Sequence, residues 1–399
     1  MSRASRLQTI ITAMVILGLT LAACGGAGQS TSESQEPSTA PEGSAAASAD
    51  PSAEGGLPDL EAAQAVVDEY MAVPAFNPPG PAFDTSGLAG MTIFDIPLNS
   101  TIPTAQLKQT TYRQILDEIG VNLIIHENQG GVNDYAAGMN AAISQEVDLI
   151  ILDGAPNPEL LGPQIQQATD AGIPVLVTHF FDEEEEWPEG FSLVPAPFNL
   201  SGKLEANWIT VDSGGDANVL VIQAAEANPS EGLVATIENE FAAVCGDGCS
   251  TTVINVPVNE WSSKVQGEVQ SALIRDPEIN YVLPLYDFGV PFANAGVVAA
   301  GRDDVKIVSF NGTPSVLKMI QDETAVVMNA GENPQWLAYA NMDQALRILA
   351  GEEPVESENT PLRIFDASNV EQAGVPPALG TGYGDEYVTG YRELWGLED

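Results

Sequence analysis

Three observations predict an α/β fold in two lobes, each a parallel sheet covered by helices. Short β-branched and aromatic runs alternate with stretches of helical apolar spacing, the alternation comes in two series, and strand after strand ends on a polar or aromatic residue. Open α/β sheets hold ligands at the carboxyl ends of their strands, so those residues are the candidate site. The stretch Lys306-Ile307-Val308-Ser309-Phe310-Asn311-Gly312-Thr313-Pro314 shows the pattern most clearly. A buried-type strand runs into Asn311, and Asn-Gly followed by Thr and Pro reads as a turn that opens a helix.

Taken in order, Leu60–Met71 has apolar residues at helical spacing, and Pro74, Pro78, Pro79 and Pro81 forbid its continuation. A helix and an irregular arm therefore precede the core, over 57–90. Met91–Ile96, Val121–Ile125, Asp148–Leu152 and Pro174–Thr178 read as strands. Gln106–Ile119, Asp134–Ser144 and Leu160–Asp170 read as the helices between them, the last with Pro163 tolerated in its first turn. In the second series Asn218–Ile222, Thr251–Val256, Tyr281–Leu285, Val305–Phe310 and Ala325–Met328 are the strands. Gly202–Val211, Glu231–Phe241, Ser262–Arg275, Pro291–Ala300, Pro314–Asp322 and Gln335–Ala350 are the helices. Leu362–Phe365 is one more strand candidate. Beyond it lies a Gly-, Pro- and Tyr-rich tail over 367–399, whose Tyr383, Tyr387, Tyr391, Leu394 and Trp395 carry too much apolar area to stay in water.

Arg3 and Arg6 precede a charge-free apolar run, Leu7 to Ala23, shorter than a membrane span of about 20 residues. This is the pattern of a secretory signal over 1–23. Its end, Leu21-Ala22-Ala23-Cys24, resembles a bacterial lipobox, which implies cleavage before Cys24, lipid attachment to its thiol and anchoring to the outer face of the cell membrane. From 24 to 56 the chain is rich in Ser, Ala, Gly, Pro, Gln and Glu, a composition that cannot order itself and that makes a tether of roughly 30 Å. The formal charge of −43 makes nucleic acid an unfavourable partner. Cys245 and Cys249, in a secreted context and separated by Gly-Asp-Gly, predict a disulfide rather than a metal site.

No catalytic constellation is present. The chain has two histidines, His126 and His179, no G-x-S-x-G elbow, no phosphate loop and no G-x-G-x-x-G after a strand. An enzyme is not predicted, nor is a cofactor. The acidic run Asp182–Glu186 lacks the spaced ligands and central glycine of a calcium loop and reads as a solvated loop, so no metal is expected. The strand-end residues are Asn99 and Ser100, Asp153, His179 and Phe180, Glu226, Tyr286 and Asp287, and Asn311. Taken singly, each also suits a helix cap or a turn; together, facing one another across two lobes, they suit a cleft for a small polar molecule.

From Gly90 to about Glu353 the chain resembles the type I periplasmic binding proteins of ribose-type ABC importers. The residues that carry the resemblance are Asn199-Leu200-Ser201-Gly202-Lys203-Leu204, the Tyr286-Asp287 strand end and Ser309–Pro314. It implies two Rossmann-like lobes joined by three crossings, with lobe 1 over 91–197 plus 331–355 and lobe 2 over 198–330 plus 356–366. It further implies a sugar-like solute in the cleft, an ABC permease as partner, and a monomer. Position by position, the family's stacking pair in the first ligand loop becomes Ile102 and Pro103. Its acid–arginine pair becomes His179-Phe180, Glu231–Phe241 supplies no arginine, and its usual Asp becomes Asn311. Trp261 falls where an aromatic stacks on the sugar, and Glu332, Gln335 and Trp336 fall where the last strand returns to the cleft. A cleft without arginine forks but with several carboxylates disfavours an anion and suits a neutral polyol or sugar, or a cationic or partly aromatic solute. Two other classes share the residues: a ligand-sensing module for a membrane signalling protein, and a secreted hydrolase, the latter opposed by the missing nucleophile and base.

Overall fold

The structure, a computed structural model, describes residues 56–397 apart from 155–156 and 186–188. The signal over 1–23, Cys24, all but the last residue of the tether, and Glu186 lie outside the described residues. Two sheets make two lobes. The first contains β1 (Thr92–Pro97), β2 (Asn122–Ile125), β3 (Leu149–Asp153), β4 (Val175–Asp182) and β5 (Ser192–Ala196), in the order β2-β1-β3-β4-β5, all parallel. The second contains β6 (Ala217–Gln223), β7 (Cys249–Asn255), β8 (Tyr281–Pro284), β9 (Lys306–Asn311), β10 (Val326–Glu332) and β11 (Leu362–Asp366), in the order β11-β10-β9-β8-β6-β7. Only β11 runs antiparallel, against β10.

The helices are α1 (Leu60–Met71), α2 (Pro103–Ile119), α3 (Val132–Ser144), α4 (Gly162–Asp170), α5 (Phe198–Ser213), α6 (Ser230–Val244), α7 (Trp261–Arg275), α8 (Val290–Ala300), α9 (Pro314–Gln321), α10 (Pro334–Ala350) and α11 (Glu386–Leu394). Proline opens several of them, where its missing N–H and fixed φ cost nothing. Gly120, at φ 85°, closes α2 by donating to the Leu116 carbonyl, a left-handed cap that a side chain would strain. Each sheet is covered on both faces, so each lobe has two apolar layers.

The structure departs from the sequence reading at several places. β10 runs on to Glu332 rather than stopping at Met328, so the second sheet keeps Gly331 and Glu332, which the sequence reading gave to lobe 1. β5 was not expected. Its Pro195 argues against a central strand, but β5 is the edge of its sheet, where a missing ladder donor is tolerated. β4 runs on past Thr178 to Asp182, with an irregular register against β5 between those residues, so His179 lies within an irregular strand rather than after it. The acidic run is not merely solvated. Asp182 is 2% exposed and accepts from the Asn199 backbone N–H at 2.7 Å, while Glu183 takes the Ser357 hydroxyl at 2.8 Å and Glu184 the Lys203 ammonium at 2.9 Å. The run stitches β4 to the start of α5.

The chain passes between lobes from β5 to α5, from β10 to α10, and from α10 back to β11; α10 packs on α2. Two further strands of chain make the same passage. The arm leaves α1, which packs on α5 and β11, and reaches the first lobe at Phe83, whose N–H donates to the Leu394 carbonyl. The tail leaves a short 3-10 turn at Val370–Ala373 and ends as α11 against α10. Arg363 of β11 holds both, donating to the carbonyls of Met71 and Gly382 and to Gln372 Oε1. Arg347 of α10 does the matching work on the other lobe, donating to the Pro81 carbonyl and to Asp343 and lying 4.6 Å from the Phe83 ring centroid, while Trp395 donates to the same Asp343. Tyr383, Tyr387, Tyr391, Leu394 and Trp395 are all buried. Cys245 and Cys249 form a disulfide at the end of α6.

Candidate functional site

The parallel strands of both lobes aim their carboxyl ends at the space between the lobes, and β4, β9 and β10 bring three polar side chains into direct contact there. Nε2 of His179 lies 2.8 Å from one Glu332 oxygen, and Nδ2 of Asn311 donates to the other at 3.1 Å. His179 belongs to the first lobe, Asn311 and Glu332 to the second. Both partners of Glu332 have left-handed backbones, with φ 57° at His179 and 126° at Asn311. Such conformations in residues other than glycine cost about 1–3 kcal/mol and persist where surrounding structure holds them. Burial pushes the Glu332 carboxyl up, but the nearby His179 charge, its hydrogen bond, the Asn311 amide and the Lys108 charge outweigh it, and the net shift is downward.

Behind this contact, in the first lobe, lies a buried polar network. Lys108 pairs with Asp153, which also accepts from the Thr178 hydroxyl at 2.9 Å and the Asn341 amide at 3.4 Å; Asn341 in turn donates to the Tyr112 hydroxyl at 2.7 Å. One strand over, Asp95 accepts from Gln109 at 3.1 Å and keeps its other oxygen without a partner among the described residues. Burial and then the Asp153 charge raise the Asp95 carboxyl well above the usual range. Lys108, His179, Val194, Pro195, Leu337 and Asn341 enclose a cavity of about 10 Å³. That is room for one water at most, so a larger solute does not fit this cavity as it stands.

On the second lobe Asp287 is a fully used hub. It accepts from the Ser309 hydroxyl and Asn329 amide on one oxygen and from the Thr313 N–H and hydroxyl on the other, tying the ends of β8, β9 and β10 together and capping α9. Burial raises its pKa to about 6 despite those bonds. Tyr286 points its hydroxyl at the Ser230 hydroxyl, 3.2 Å away, and burial pushes its pKa up to about 12.

The remaining predicted residues do other work. Trp261 is 1% exposed, donates its indole N–H to the Val256 carbonyl and stacks between Tyr286 and Phe288, so its place is the second-lobe core rather than the cleft wall. Trp336 is equally buried, stacked 4.4 Å from Tyr387 under α11. Glu226 is exposed and caps the Val258 N–H at 2.7 Å. Asn99 and Ser100 bond within the first lobe to the backbone at Gln129 and Asn128. Phe180 packs edge-on to Phe181, and its carbonyl accepts from Asn228 of the second lobe at 3.3 Å. His126 contacts the Asp134 carbonyl.

Lys108, Thr178 and Asn341 were not singled out in the sequence. Lys108 carried a signal: it shares the buried face of α2 with Ala105, Tyr112, Ile115 and Ile119, a position where a lysine must find a partner. Among the described residues no group of three or more His, Cys, Asp or Glu is arranged to hold a metal ion.

Residues 105–353 match the model of the periplasmic binding protein domain. The chain belongs to the periplasmic binding protein family. Its location is accordingly extracytoplasmic, and its relatives are solute-binding proteins rather than enzymes. It is 22% identical to the ribose import binding protein RbsB of Escherichia coli over 245 residues, 59% of this chain and 77% of that protein, and similarly to the Salmonella typhimurium protein. Among solved structures, an ABC sugar transporter subunit from Rhodobacter sphaeroides superposes with a TM-score of 0.62 at 20% identity, covering 71% of this chain and 100% of that one. A 5-methylthioribose transporter solute-binding protein from Thermotoga lettingae gives 0.62 at 19% identity, covering 78% and 98%. These structures share the two-lobed fold.

Proposed function

We propose that this periplasmic binding protein captures a neutral or cationic sugar-like solute between its lobes and delivers it to an ABC-type permease, held to the outer face of the membrane by a lipid on Cys24 and acting as a monomer. In this reading lobe 1 comprises 91–197 with 333–355, and lobe 2 comprises 198–332 with 356–366, since β10 keeps Gly331 and Glu332 in the second sheet. The observation that carries it is the contact of Glu332 with His179 and Asn311: carboxylate, imidazole and amide from both lobes meet at strand ends, the groups that hydrogen-bond hydroxyls. The solutes named with structural neighbours, 5-methylthioribose, tagatopyranose, D-allose and allitol, are neutral and hydroxyl-rich. Among the described residues, the basic groups at the contact already have acidic partners, Lys108 with Asp153 and His179 with Glu332, which disfavours an anion.

Thermal shift and titration calorimetry of the anchor-free protein against D-ribose, D-galactose, D-allose, D-tagatose, allitol, glycerol, glucosamine and D-galacturonate test the proposal. A neutral sugar or the amino sugar raises the melting temperature in proportion to the logarithm of its concentration. Stabilisation by galacturonate alone would overturn it.

A further inference from the structure

We infer that the C-terminal tail contributes a solute contact of its own, the hydroxyl of Tyr383. Tyr383 lies outside the matched domain, on the stretch of tail between the Val370–Ala373 turn and α11. Its ring packs edge-on to Phe365 of β11, 5.5 Å between centroids, and it is 2% exposed. The hydroxyl reaches the ends of β9 and β10 at a cradle made by two glycines. A Cβ at Gly331 would lie 2.3 Å from the hydroxyl oxygen, and one at Gly312 would lie 3.1 Å from it. Gly312 directly follows Asn311 and Gly331 directly precedes Glu332, so the hydroxyl sits beneath the two second-lobe residues of the interlobe contact. The Phe365 ring is the other neighbour at Gly331, 3.1 Å from such a Cβ. Gly312 also has φ 71°, a second reason for glycine there.

The hydroxyl has no hydrogen-bond partner among the described residues. Leaving a buried polar group unmade costs about 1–3 kcal/mol, and native proteins tolerate few such groups outside functional sites. Nearby donors and acceptors are already committed: the Asn329 amide and its oxygen to Asp287 and the Gly312 N–H, and the Glu332 oxygens to His179 and Asn311. When the lobes part and a hydroxyl-bearing solute takes over Glu332 and Asn311, the Tyr383 hydroxyl is the uncommitted group beside them. The assignment rests on the sugar-binding reading and deepens it, since a phenol hydroxyl both donates to and accepts from a sugar hydroxyl.

The test compares wild type, Tyr383→Phe and, as a control in the same tail, Tyr387→Phe, whose hydroxyl donates to Gln335. Calorimetry with the panel sugar that the wild type binds most tightly, D-ribose being the first tried, gives a dissociation constant about tenfold or more higher for Tyr383→Phe and unchanged for Tyr387→Phe. The solute-free melting temperature of Tyr383→Phe is equal to or above wild type, because the lost hydroxyl was unpaired. Equal affinity in wild type and Tyr383→Phe overturns the assignment alone. No response of the wild type to any panel sugar overturns the sugar reading and this assignment with it.

Discussion

Nε2 of His179 and Oε2 of Glu332 lie 2.8 Å apart across the two lobes. The contact joins the lobes at their strand ends, and under the proposed function Glu332 would exchange His179 for a solute hydroxyl. Glu332→Gln keeps the shape and removes the charge. Sugar affinity measured by calorimetry is expected to fall about tenfold. Unchanged affinity would show that the carboxylate does not meet the solute.

The pH dependence of stability follows from two shifts of opposite sign. Glu332 is held below its ordinary range, so its contribution is present above that range and is lost only as the pH falls through the depressed value. Asp287 is raised to about 6, so the folded state holds its proton more tightly than the unfolded chain does; that contribution is full below the ordinary Asp range and is lost as pH rises through about 6. Asp95, Glu205 and Glu358 are also raised well above the usual range, chiefly by burial, and act in the same direction. The melting temperature is expected to rise between pH 7.5 and pH 5. A curve that falls over that interval would contradict the burial of these carboxyls.

Trp261 separates stability from binding. Trp261→Phe removes an indole bond to the Val256 carbonyl and leaves a void beside Tyr286 and Gly289. A loss of about 2 kcal/mol in denaturant unfolding is expected, with sugar affinity within a factor of about two of wild type. A selective loss of affinity would return Trp261 to the cleft.

Arg363 ties arm and tail to β11 through three acceptors. Arg363→Met strands the Gly382 carbonyl and leaves the Met71 carbonyl only the Asn369 amide at 3.5 Å, and a loss of about 3 kcal/mol is expected in urea unfolding. A variant as stable as wild type would mean that both segments are held by their aromatic contacts alone.

Most strands and helices were legible because burial on both faces of a parallel sheet leaves apolar, β-branched runs, and because proline and glycine punctuate the helices. Asn311 and His179 were legible singly, as polar residues at strand ends, and Glu332 only through the family resemblance. Their meeting was not, because it depends on how one lobe sits against the other. β5 was hidden by a proline that only an edge position excuses. Trp261 misled because an aromatic at a helix start suits a cleft wall and a core equally, and only packing decides between them. Lys108 gave no strand-end signal because it lies on α2 and meets its partner Asp153 only where β3 ends.

The two extra passages between the lobes bear on where this protein may be cut. A recombinant fragment trimmed to 105–353 would lack β1, an inner strand of the first sheet, and β11, along with the Tyr387 and Trp395 rings that roof Trp336 and Tyr339. It would present an unpaired sheet edge and a bare aromatic face, the features that drive chains to aggregate. The unit to produce, crystallise or fuse to a reporter runs from α1 through α11.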